Sequence, residues 1–382
     1  PLKPPQHPVP SGDRRMARLI MRALAAGGHA VELMSSVRSY CAGPDDLAAA
    51  QHTAEVAAQR LGRMLPARPR AQVPEAWLTY HLYYKAPDWI GPAVATALDI
   101  PYLVAEASSA AKRLASDWAP GERAVARALG RADAVLSLNP ADDAGVAVHL
   151  DRPDRIHRLL PFLDLTAEPA PAMDRAGLAA RFDIPADPPW LLAVAMMRDG
   201  DKLASYRLLG QALGRIDDLD WQLLVAGDGS ARDAVAAVLG PRARLLGACP
   251  PELLQALYAA ADLMVWPAVN EAFGMALLEA RAAGLPVVAG DQGAVATIVD
   301  DGRSGLVIAP LSVDSFAAAM RALIVDPAAR ARMADFARTT TGAKHGLDAA
   351  ARTLDSALRF AAAHRRRPVP SHDPEPRGDA AR

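Results

Sequence analysis

The sequence predicts two α/β domains, each a doubly wound parallel sheet, facing each other across a cleft. Short apolar runs alternate with stretches that carry apolar residues at helical spacing, which is typical of parallel α/β folds. The 382 residues are enough for two domains of about 150 to 200 residues each. No run approaches the roughly 18 apolar residues of a membrane-spanning helix, so a globular protein is expected.

The N-terminal half of the chain carries the first predicted sheet. Apolar spacing predicts a helix over residues 13–26, and short apolar runs predict strands at 30–36, 76–81, 102–108 and 134–139. Residues 164–190 are rich in Pro, Ala and Asp and predict a linker, so the first domain covers residues 1–163. Because the chain opens with Pro1, we expect an incomplete N-terminus and the absence of a first strand of this domain.

The C-terminal half carries the second predicted sheet, within residues 191–343. Strands are predicted at 190–197, 221–227, 242–248, 262–266, 286–290 and 305–309. Helices are expected between them, two of them ending at Leu213 and Leu239. Residues 344–363 predict a final amphipathic helix, and the polar, proline-rich residues 364–382 predict a disordered tail.

Charge and cysteine content argue against several classes of protein. A formal net charge of −1 does not fit a nucleic-acid binder that depends on a basic surface. Cys41 and Cys249 are isolated in the sequence, so neither a disulfide framework nor a metal site is expected. This cysteine content fits a reducing compartment, and we expect a cytoplasmic protein.

The stretch EAFGMALLE is the most informative part of the sequence. Its two glutamates, Glu271 and Glu279, lie eight positions apart, one before a predicted helix and one inside it. Phe273, Gly274 and Met275 fall at the helix start, where free N–H groups and the helix dipole form an anion site. Carboxylates accept hydrogen bonds from vicinal hydroxyls. The inferred ligand is therefore a sugar joined to a phosphate.

The longer run over residues 262–310 carries a family resemblance. In order it contains a strand, the first glutamate, an FG pair, the second glutamate, AxxxGxPVV, a GA pair, a DG turn and G-L-V. This run resembles the donor-binding segment of GT-B glycosyltransferases, and more narrowly the retaining, nucleotide-sugar-dependent enzymes of glycosyltransferase family 4. The alternative is an ordinary helix with two solvated glutamates.

The resemblance implies both a fold and roles for the two glutamates. The fold is GT-B, with two Rossmann-like domains and a last helix that returns towards the N-terminal domain. Glu271 would hold the transferred sugar and Glu279 the ribose of a nucleotide diphosphate sugar. No metal or other cofactor is expected.

Arg198 and Lys202 follow the first predicted strand of the C-terminal domain, on the cleft side. A guanidinium and an ammonium there would stabilise the charge of a departing diphosphate without a metal. They resemble the family's Arg and Lys pair, although Leu203 stands where glycine is more usual. The alternative is a solvated loop of mixed charge.

Two glycines match family positions near the nucleotide. Gly227 lies in a GDG turn after a predicted strand, and we interpret it as packing close to the nucleotide. Gly247 matches the position where the family's backbone flanks the base.

The loop PSGDRR resembles the glycine-rich loop that opens the family's first helix, with one glycine where many members have two. Gly12 would let the backbone approach a ligand closely, and Arg15 is expected on the acceptor side, within reach of a phosphate. Arg14, Arg18 and Arg22 recur every four residues on the following helix. They predict either a solvated face or a peripheral contact with anionic lipid at the inner membrane face.

An aromatic cluster over residues 77–89 predicts part of the acceptor site. Tyr83 and Tyr84 belong to it, and aromatic faces suit sugar rings. His81 falls at the cleft end of its strand, although a core or capping histidine is the alternative. Glu106 occupies the position where many family members have a histidine. The sequence leaves open whether His81 or Glu106 takes that role.

The sequence therefore predicts a retaining glycosyltransferase that acts on an unidentified acceptor hydroxyl of a glycan, lipid or small molecule. The diphosphate would leave with help from Arg198, Lys202 and the amides near Gly274. Alternatives are a GT-B epimerase or phosphorylase, and a non-catalytic nucleotide-sugar binder in a polysaccharide assembly complex.

Overall fold

The structure is a computed structural model that describes residues 4–6, 12–166, 173–271 and 273–365. It contains two parallel-sheet α/β domains, as predicted. The helices and strands of the N-terminal domain are α1 (Gly12–Ala26), α2 (Leu47–Met64), β1 (Trp77–Leu82), α3 (Gly91–Leu98), β2 (Tyr102–Ala107), α4 (Ala119–Arg131), β3 (Ala134–Ser137), α5 (Asp143–Ala147) and β4 (Ile156–Arg158).

The N-terminal sheet has the order β1-β2-β3-β4, and all neighbouring strands are parallel. The middle strands β2 and β3 are almost completely buried, as expected of a parallel sheet with both faces covered. The predicted helix over 13–26 and the strands near 76–81, 102–108 and 134–139 are confirmed.

The predicted strand over 30–36 is wrong. These residues carry apolar side chains in a strand-like pattern, but they form no strand pairing with the described part of the chain. The edge strand β1 and residues 30–35 line one cavity of the N-terminal domain, but the two segments do not pair. A strand requires a hydrogen-bonding neighbour, and no described residue pairs with this segment.

The C-terminal domain contains the second sheet, with the order β10-β9-β8-β5-β6-β7 and parallel neighbours throughout. Its helices and strands are α6 (Arg175–Phe182), β5 (Trp190–Val194), α7 (Asp201–Leu213), β6 (Gln222–Ala226), α8 (Arg232–Leu239), β7 (Ala243–Gly247), α9 (Pro251–Ala260), β8 (Leu263–Trp266), α10 (Met275–Ala282), β9 (Val287–Gly290), α11 (Val295–Ile298), β10 (Gly305–Ile308), α12 (Val313–Val325) and α13 (Pro327–His345). All six strands predicted in this half are confirmed. The strand order reverses between β8 and β5, and open α/β sheets bind ligands at the carboxyl ends of strands beside such a reversal.

The predicted linker over 164–190 contains a helix that the sequence analysis did not anticipate. Asp174 caps α6, because its side chain accepts a hydrogen bond from the Gly177 amide. Leu178 of α6 packs into the core of the C-terminal domain. Residues 167–172 lie outside the described part of the chain.

The last helix, α14 (Leu347–Ala363), returns to the N-terminal domain, as the resemblance implies. Its buried Leu354 and Ala357 share a hydrophobic core with Met16 and Ile20 of α1. The predicted disordered tail lies mostly outside the described residues, which end at 365. Among the described residues, no helix has the length and apolar character needed to cross a membrane.

Candidate active site

The start of α10 presents free backbone amides at the carboxyl edge of the C-terminal sheet. Gly274 is the residue before the helix and has φ 70°, a left-handed conformation that favours glycine. Its carbonyl oxygen accepts hydrogen bonds from the amides of Leu277 and Leu278. Phe273, Gly274 and Met275 lie at this helix start, and anion binding by their amides stays a prediction.

A buried arginine holds α10 in place. Arg281 is fully buried and lies two positions after Glu279. Its Nη2 donates a hydrogen bond of 2.7 Å to Asp300, and its Nε donates one of 3.1 Å to Thr341 of α13. A buried guanidinium with several partners fixes its helix strongly, because breaking the pairing would leave a buried charge. The position of Glu279 therefore depends on the contact between α10 and α13.

Glu271 and Lys202 form an ion pair beside this helix start. The Lys202 ammonium lies 2.5 Å from Glu271 Oε2, and Trp266 Nε1 donates a hydrogen bond of 3.1 Å to the same oxygen. Glu271 follows an exit loop in which Ala268 and Asn270 both have positive φ. Such backbone strain is often found at functional sites. The predicted sugar-binding carboxylate and the predicted phosphate-binding cation thus lie in direct contact.

Glu279 bridges the two domains. Tyr258 donates a hydrogen bond of 2.9 Å to Glu279 Oε2, and Arg15 of α1 pairs with Glu279 Oε1. Glu279 is buried, with 8% of its surface exposed, whereas the side chain of Arg15 is 42% exposed. The structure therefore places Arg15, which we expected on the acceptor side, against the predicted ribose-binding carboxylate.

Arg198 lies at the exit of β5 and is exposed. Within the described part of the chain its guanidinium makes no hydrogen bond or ion pair, which leaves it available to an anionic ligand.

The neighbouring loops are closely packed. Gly227 donates its amide to Gly247 with a distance of 2.8 Å, and a Cβ on Gly227 would collide with the carbonyl of Ala195. Gly227 therefore packs tightly against the chain after β5, and its closeness to the nucleotide stays a prediction.

The carboxyl ends of β1 and β2 bring together His81, Glu106 and Asp13. Nδ1 of His81 lies 2.9 Å from Asp13 Oδ1 and 3.6 Å from Glu106 Oε1. Asp13 stands in the first turn of α1, directly after Gly12. The sequence analysis left a choice between His81 and Glu106, and the structure brings both to one place.

Burial has opposite effects on the pKa values of these two groups. Burial raises the pKa of Glu106 to about 7, against the opposing effects of His81 and of the hydrogen bond from Tyr80. Burial alone would lower the pKa of His81, but the nearby Glu106 and Asp13 outweigh it and raise that pKa overall. Oε2 of Glu106 is buried and has no hydrogen-bond partner among the described residues. This oxygen can accept a hydrogen bond from a ligand hydroxyl.

The aromatic side chains Tyr83 and Tyr84 come directly after β1 in the sequence. The rings of His81 and Tyr83 lie 4.9 Å apart, and those of Tyr83 and Tyr84 lie 5.6 Å apart in an edge-to-face arrangement. The guanidinium carbon of Arg113 lies 4.2 Å from the centre of the Tyr84 ring. Lys85 Nζ lies 5.0 Å from the Trp118 ring, which itself contacts Tyr84. Aromatic faces and cations therefore share the cleft-side loops after β1 and β2.

The arginines of α1 are engaged with the protein itself. Arg22 forms an ion pair with the buried Asp164, and Arg18 donates a hydrogen bond of 2.7 Å to the carbonyl of Pro5. These contacts give the predicted lipid contact no support.

The predicted loop residue Ser11 lies outside the described residues, and Gly12 itself has open space around it.

Comparison with known proteins identifies the family. The family description "Glycosyl transferases group 1" matches residues 188–326. D-inositol 3-phosphate glycosyltransferase from Xylanimonas cellulosilytica is 31% identical over an alignment of 327 positions, which covers 79% of this chain and 76% of that protein. The chain belongs to the group 1 glycosyltransferases, glycosyltransferase family 4. It is therefore a glycosyltransferase, an enzyme that transfers a sugar.

Solved structures show that the fold of this glycosyltransferase is GT-B. Sucrose-phosphate synthase from Thermosynechococcus elongatus superposes with a TM-score of 0.66 at 20% identity, covering 91% of this chain and 93% of the other. Anabaena HepE, solved with UDP and glucose, superposes with a TM-score of 0.62 at 18% identity, covering 80% and 81%.

Three side chains of the glycosyltransferase site escaped the sequence analysis. Asp13, Tyr258 and Trp266 each make a hydrogen bond to a predicted site residue. Asp13 belongs to the loop PSGDRR that resembles the family's glycine-rich loop, so the sequence could have indicated its place in the site. Tyr258 and Trp266 lie on a helix and a strand where aromatic residues are expected in the core. No cluster of three or more potential metal ligands is present among the described residues.

Proposed function

We propose that this glycosyltransferase is a retaining enzyme whose donor is a nucleoside diphosphate sugar bound along β5, β8 and α10. The observation that carries the proposal is the ion pair between Lys202 and Glu271 beside Gly274. Cations and helix amides suit the diphosphate, and carboxylates suit the sugar hydroxyls. All of these groups lie at the carboxyl edge of the same sheet.

The diphosphate leaves with its charge stabilised by the protein. The exposed guanidinium of Arg198 can turn towards the phosphates. The ammonium of Lys202 can reach them once it breaks its ion pair with Glu271. As the bond between the sugar carbon and the phosphate oxygen breaks, negative charge builds up on that oxygen. Cations and amides beside this oxygen favour the charged state more than the ground state, which lowers the barrier.

His81 and Glu106 would hold the transferred sugar from the side of the N-terminal domain. The free Glu106 Oε2 can accept a sugar hydroxyl, and the Asp13 contact to Nδ1 orients the His81 ring. Glu271 holds the sugar from the other side. We assign no carboxylate as a covalent nucleophile. The acceptor would attack from the face that the diphosphate leaves, and a donor phosphate oxygen would take its proton.

The acceptor we propose is a hydroxylated ring that carries an anionic group. Tyr83, Tyr84 and Trp118 offer ring faces, and Lys85 and Arg113 place positive charge against those faces. The relative from Xylanimonas cellulosilytica is named for inositol 3-phosphate, which has this chemistry. Inositol 3-phosphate is therefore the first acceptor to assay.

A donor screen by thermal shift tests the donor site. HepE was solved with UDP and glucose, so UDP-sugars are screened first, followed by GDP- and ADP-sugars. A ligand that binds only the folded state at 100 times its Kd stabilises that state by about 2.7 kcal/mol, which raises Tm. We expect one nucleotide class to raise Tm in the wild type and not in Glu279→Ala. Absence of any shift at millimolar donor would contradict the proposal.

A further inference from the structure

The first turn of α4 carries a buried carboxylate that the site described above does not include. This carboxylate belongs to Glu122, which is 2% exposed. Its Oε1 accepts a hydrogen bond from the Ser109 hydroxyl and one of 2.8 Å from the Ala110 amide. His149 Nε2 lies 2.8 Å from the same hydroxyl oxygen. Glu122 therefore fastens the loop after β2 to the start of α4.

The second oxygen of Glu122 faces the guanidinium of Arg113. Arg113 Nη1 lies 3.6 Å from Glu122 Oε2, and neither atom has a hydrogen-bond partner among the described residues. The guanidinium carbon also lies 4.2 Å from the centre of the Tyr84 ring. Gly121 packs so closely against Tyr84 that a Cβ on this glycine would collide with the Tyr84 carbonyl. The start of α4 thus contacts both the guanidinium and the residue whose ring lies against it.

A neutral side chain could make the hydrogen bonds of Glu122 equally well. The Ser109 hydroxyl and the Ala110 amide both donate, so the carbonyl oxygen of a glutamine would accept them. A buried carboxylate costs more free energy than an amide unless a cation compensates its charge. The cation that pairs with Glu122 is Arg113. We conclude that the charge of Glu122 serves to hold this guanidinium.

The guanidinium of Arg113 keeps its hydrogen-bonding capacity for a ligand. It donates no hydrogen bond to any described residue, although its side chain is only 24% exposed. The N–H groups of a guanidinium form a planar fork that matches the oxygens of a phosphate. Lys85 Nζ lies 5.8 Å from the centre of the same Tyr84 ring. Two cations beside one ring suit a phosphate monoester, whose charge is about −2 near neutral pH.

We propose that Glu122 is a positioning residue whose charge holds Arg113 against Tyr84, where the guanidinium selects acceptors that carry a phosphate. This inference rests on the acceptor class proposed above and adds the residues that discriminate between phosphorylated and neutral acceptors. The acceptor ring would lie along Tyr84, and its phosphate would accept hydrogen bonds from the fork of Arg113. Glu122 would not touch the acceptor. It would fix the guanidinium beforehand, which reduces the entropy lost on binding.

Two acceptors that share one ring test the selection, because myo-inositol is inositol 3-phosphate without the phosphate. Glu122→Gln keeps the hydrogen bonds to Oε1 and removes the charge. We expect it to raise the KM for inositol 3-phosphate by about threefold or more, and Arg113→Ala by about tenfold or more. Both variants should leave kcat and the KM for myo-inositol near their wild-type values. Arg123→Ala is the matched control, because Arg123 is exposed on α4 next to Glu122.

A double variant shows whether Glu122 acts through Arg113. In the chain with Arg113→Ala, the further change Glu122→Gln should not raise the KM for inositol 3-phosphate any more, because the two residues act as a unit. Arg113→Lys keeps a positive charge beside Glu122 but loses the fork, so it should also raise this KM. Additive effects of the two changes, or an equal rise in the KM for myo-inositol, would overturn the positioning role.

Titration calorimetry with inositol 3-phosphate separates this inference from the proposed reaction, because binding requires no transfer. We expect the affinity of the full chain to fall in Arg113→Ala and in Glu122→Gln. No binding by the wild type, or tighter binding in Glu122→Gln, would overturn the proposal. Affinity that falls in Arg198→Ala and not in Arg113→Ala would place the phosphate at the donor site and overturn it as well. Binding that depends on Arg113, in a chain that transfers no sugar, would support the inference and contradict the proposed reaction.

Discussion

His81 and Glu106 lie side by side on β1 and β2, and both have left-handed backbone conformations. Tyr80 pairs with Ala105 and Leu82 pairs with Ala107, while φ is 64° at His81 and 59° at Glu106 between these pairs. Positive φ costs a non-glycine residue about 1 to 3 kcal/mol, and such residues cluster at functional sites. The shared distortion brings both side chains, together with Asp13, to the cleft end of the sheet.

The first prediction concerns pH. Burial raises the pKa of Glu106 to about 7, and its ionised form is the better acceptor for a sugar hydroxyl. We expect kcat/KM for the donor to rise as pH increases from about 6 to about 8 in the wild type. Glu106→Gln keeps the shape but cannot ionise, so its profile should be flatter across this range and its rate lower at pH 8. An unchanged profile in Glu106→Gln would remove this residue from the reaction.

The raised pKa of Glu106 also predicts that the stability of the fold depends on pH. A carboxyl whose pKa is raised by folding stabilises the fold at low pH, and this contribution is lost as pH rises from about 4.5 to about 7. The loss is at most about 3.5 kcal/mol, since one pKa unit corresponds to about 1.4 kcal/mol. The free energy of unfolding of Glu106→Gln, taken relative to that of the wild type at the same pH, should therefore be higher at pH 8 than at pH 5. Chemical unfolding at the two pH values measures the difference.

The second prediction concerns the phosphate cations. Replacing Arg198 or Lys202 by Ala should lower kcat by about two to three orders of magnitude, as for loss of an electrostatic contact in the transition state. Arg215→Ala is the matched control, because Arg215 is an exposed arginine that pairs with Asp314 away from the cleft. Its kcat should stay near that of the wild type. Near-normal activity in both cleft variants would exclude them from the mechanism.

The third prediction separates the two glutamates. Glu279→Ala should weaken binding of the free nucleotide and of the nucleotide sugar alike, because both contain ribose. Glu271→Ala should spare the free nucleotide and mainly lower transfer. Titration calorimetry with nucleotide and with nucleotide sugar distinguishes the two variants. Equal losses of nucleotide affinity would contradict this division of roles.

The fourth prediction concerns the acceptor side. Tyr83→Ala and Tyr84→Ala should raise the acceptor KM more than the donor KM, because their rings lie on the cleft-side loops of the N-terminal domain. His81→Ala should lower kcat without abolishing donor binding. Melting temperature is measured on the same variants. A lower Tm with an unaltered acceptor KM would mean that these rings only stabilise the domain.

Local patterns predicted most of the fold, and contacts between distant segments explain what they missed. The strands β5 to β10 are short apolar runs bounded by turn residues, so their sequence alone identifies them. Residues 30–36 show a strand pattern as well, but a strand also needs a partner, and the pattern carries no information about partners. The pair of Arg15 and Glu279 joins residues 264 positions apart. Only the closure of the two domains brings these residues together.

The central claim is that this enzyme transfers a sugar with retention of configuration, and the anomeric configuration of the product tests it most directly. The chain is incubated with the donor selected by thermal shift and with inositol 3-phosphate, and the product is examined by proton NMR. We predict a glycoside with the same anomeric configuration as the donor, and none in Lys202→Ala. A product of inverted configuration would contradict the account.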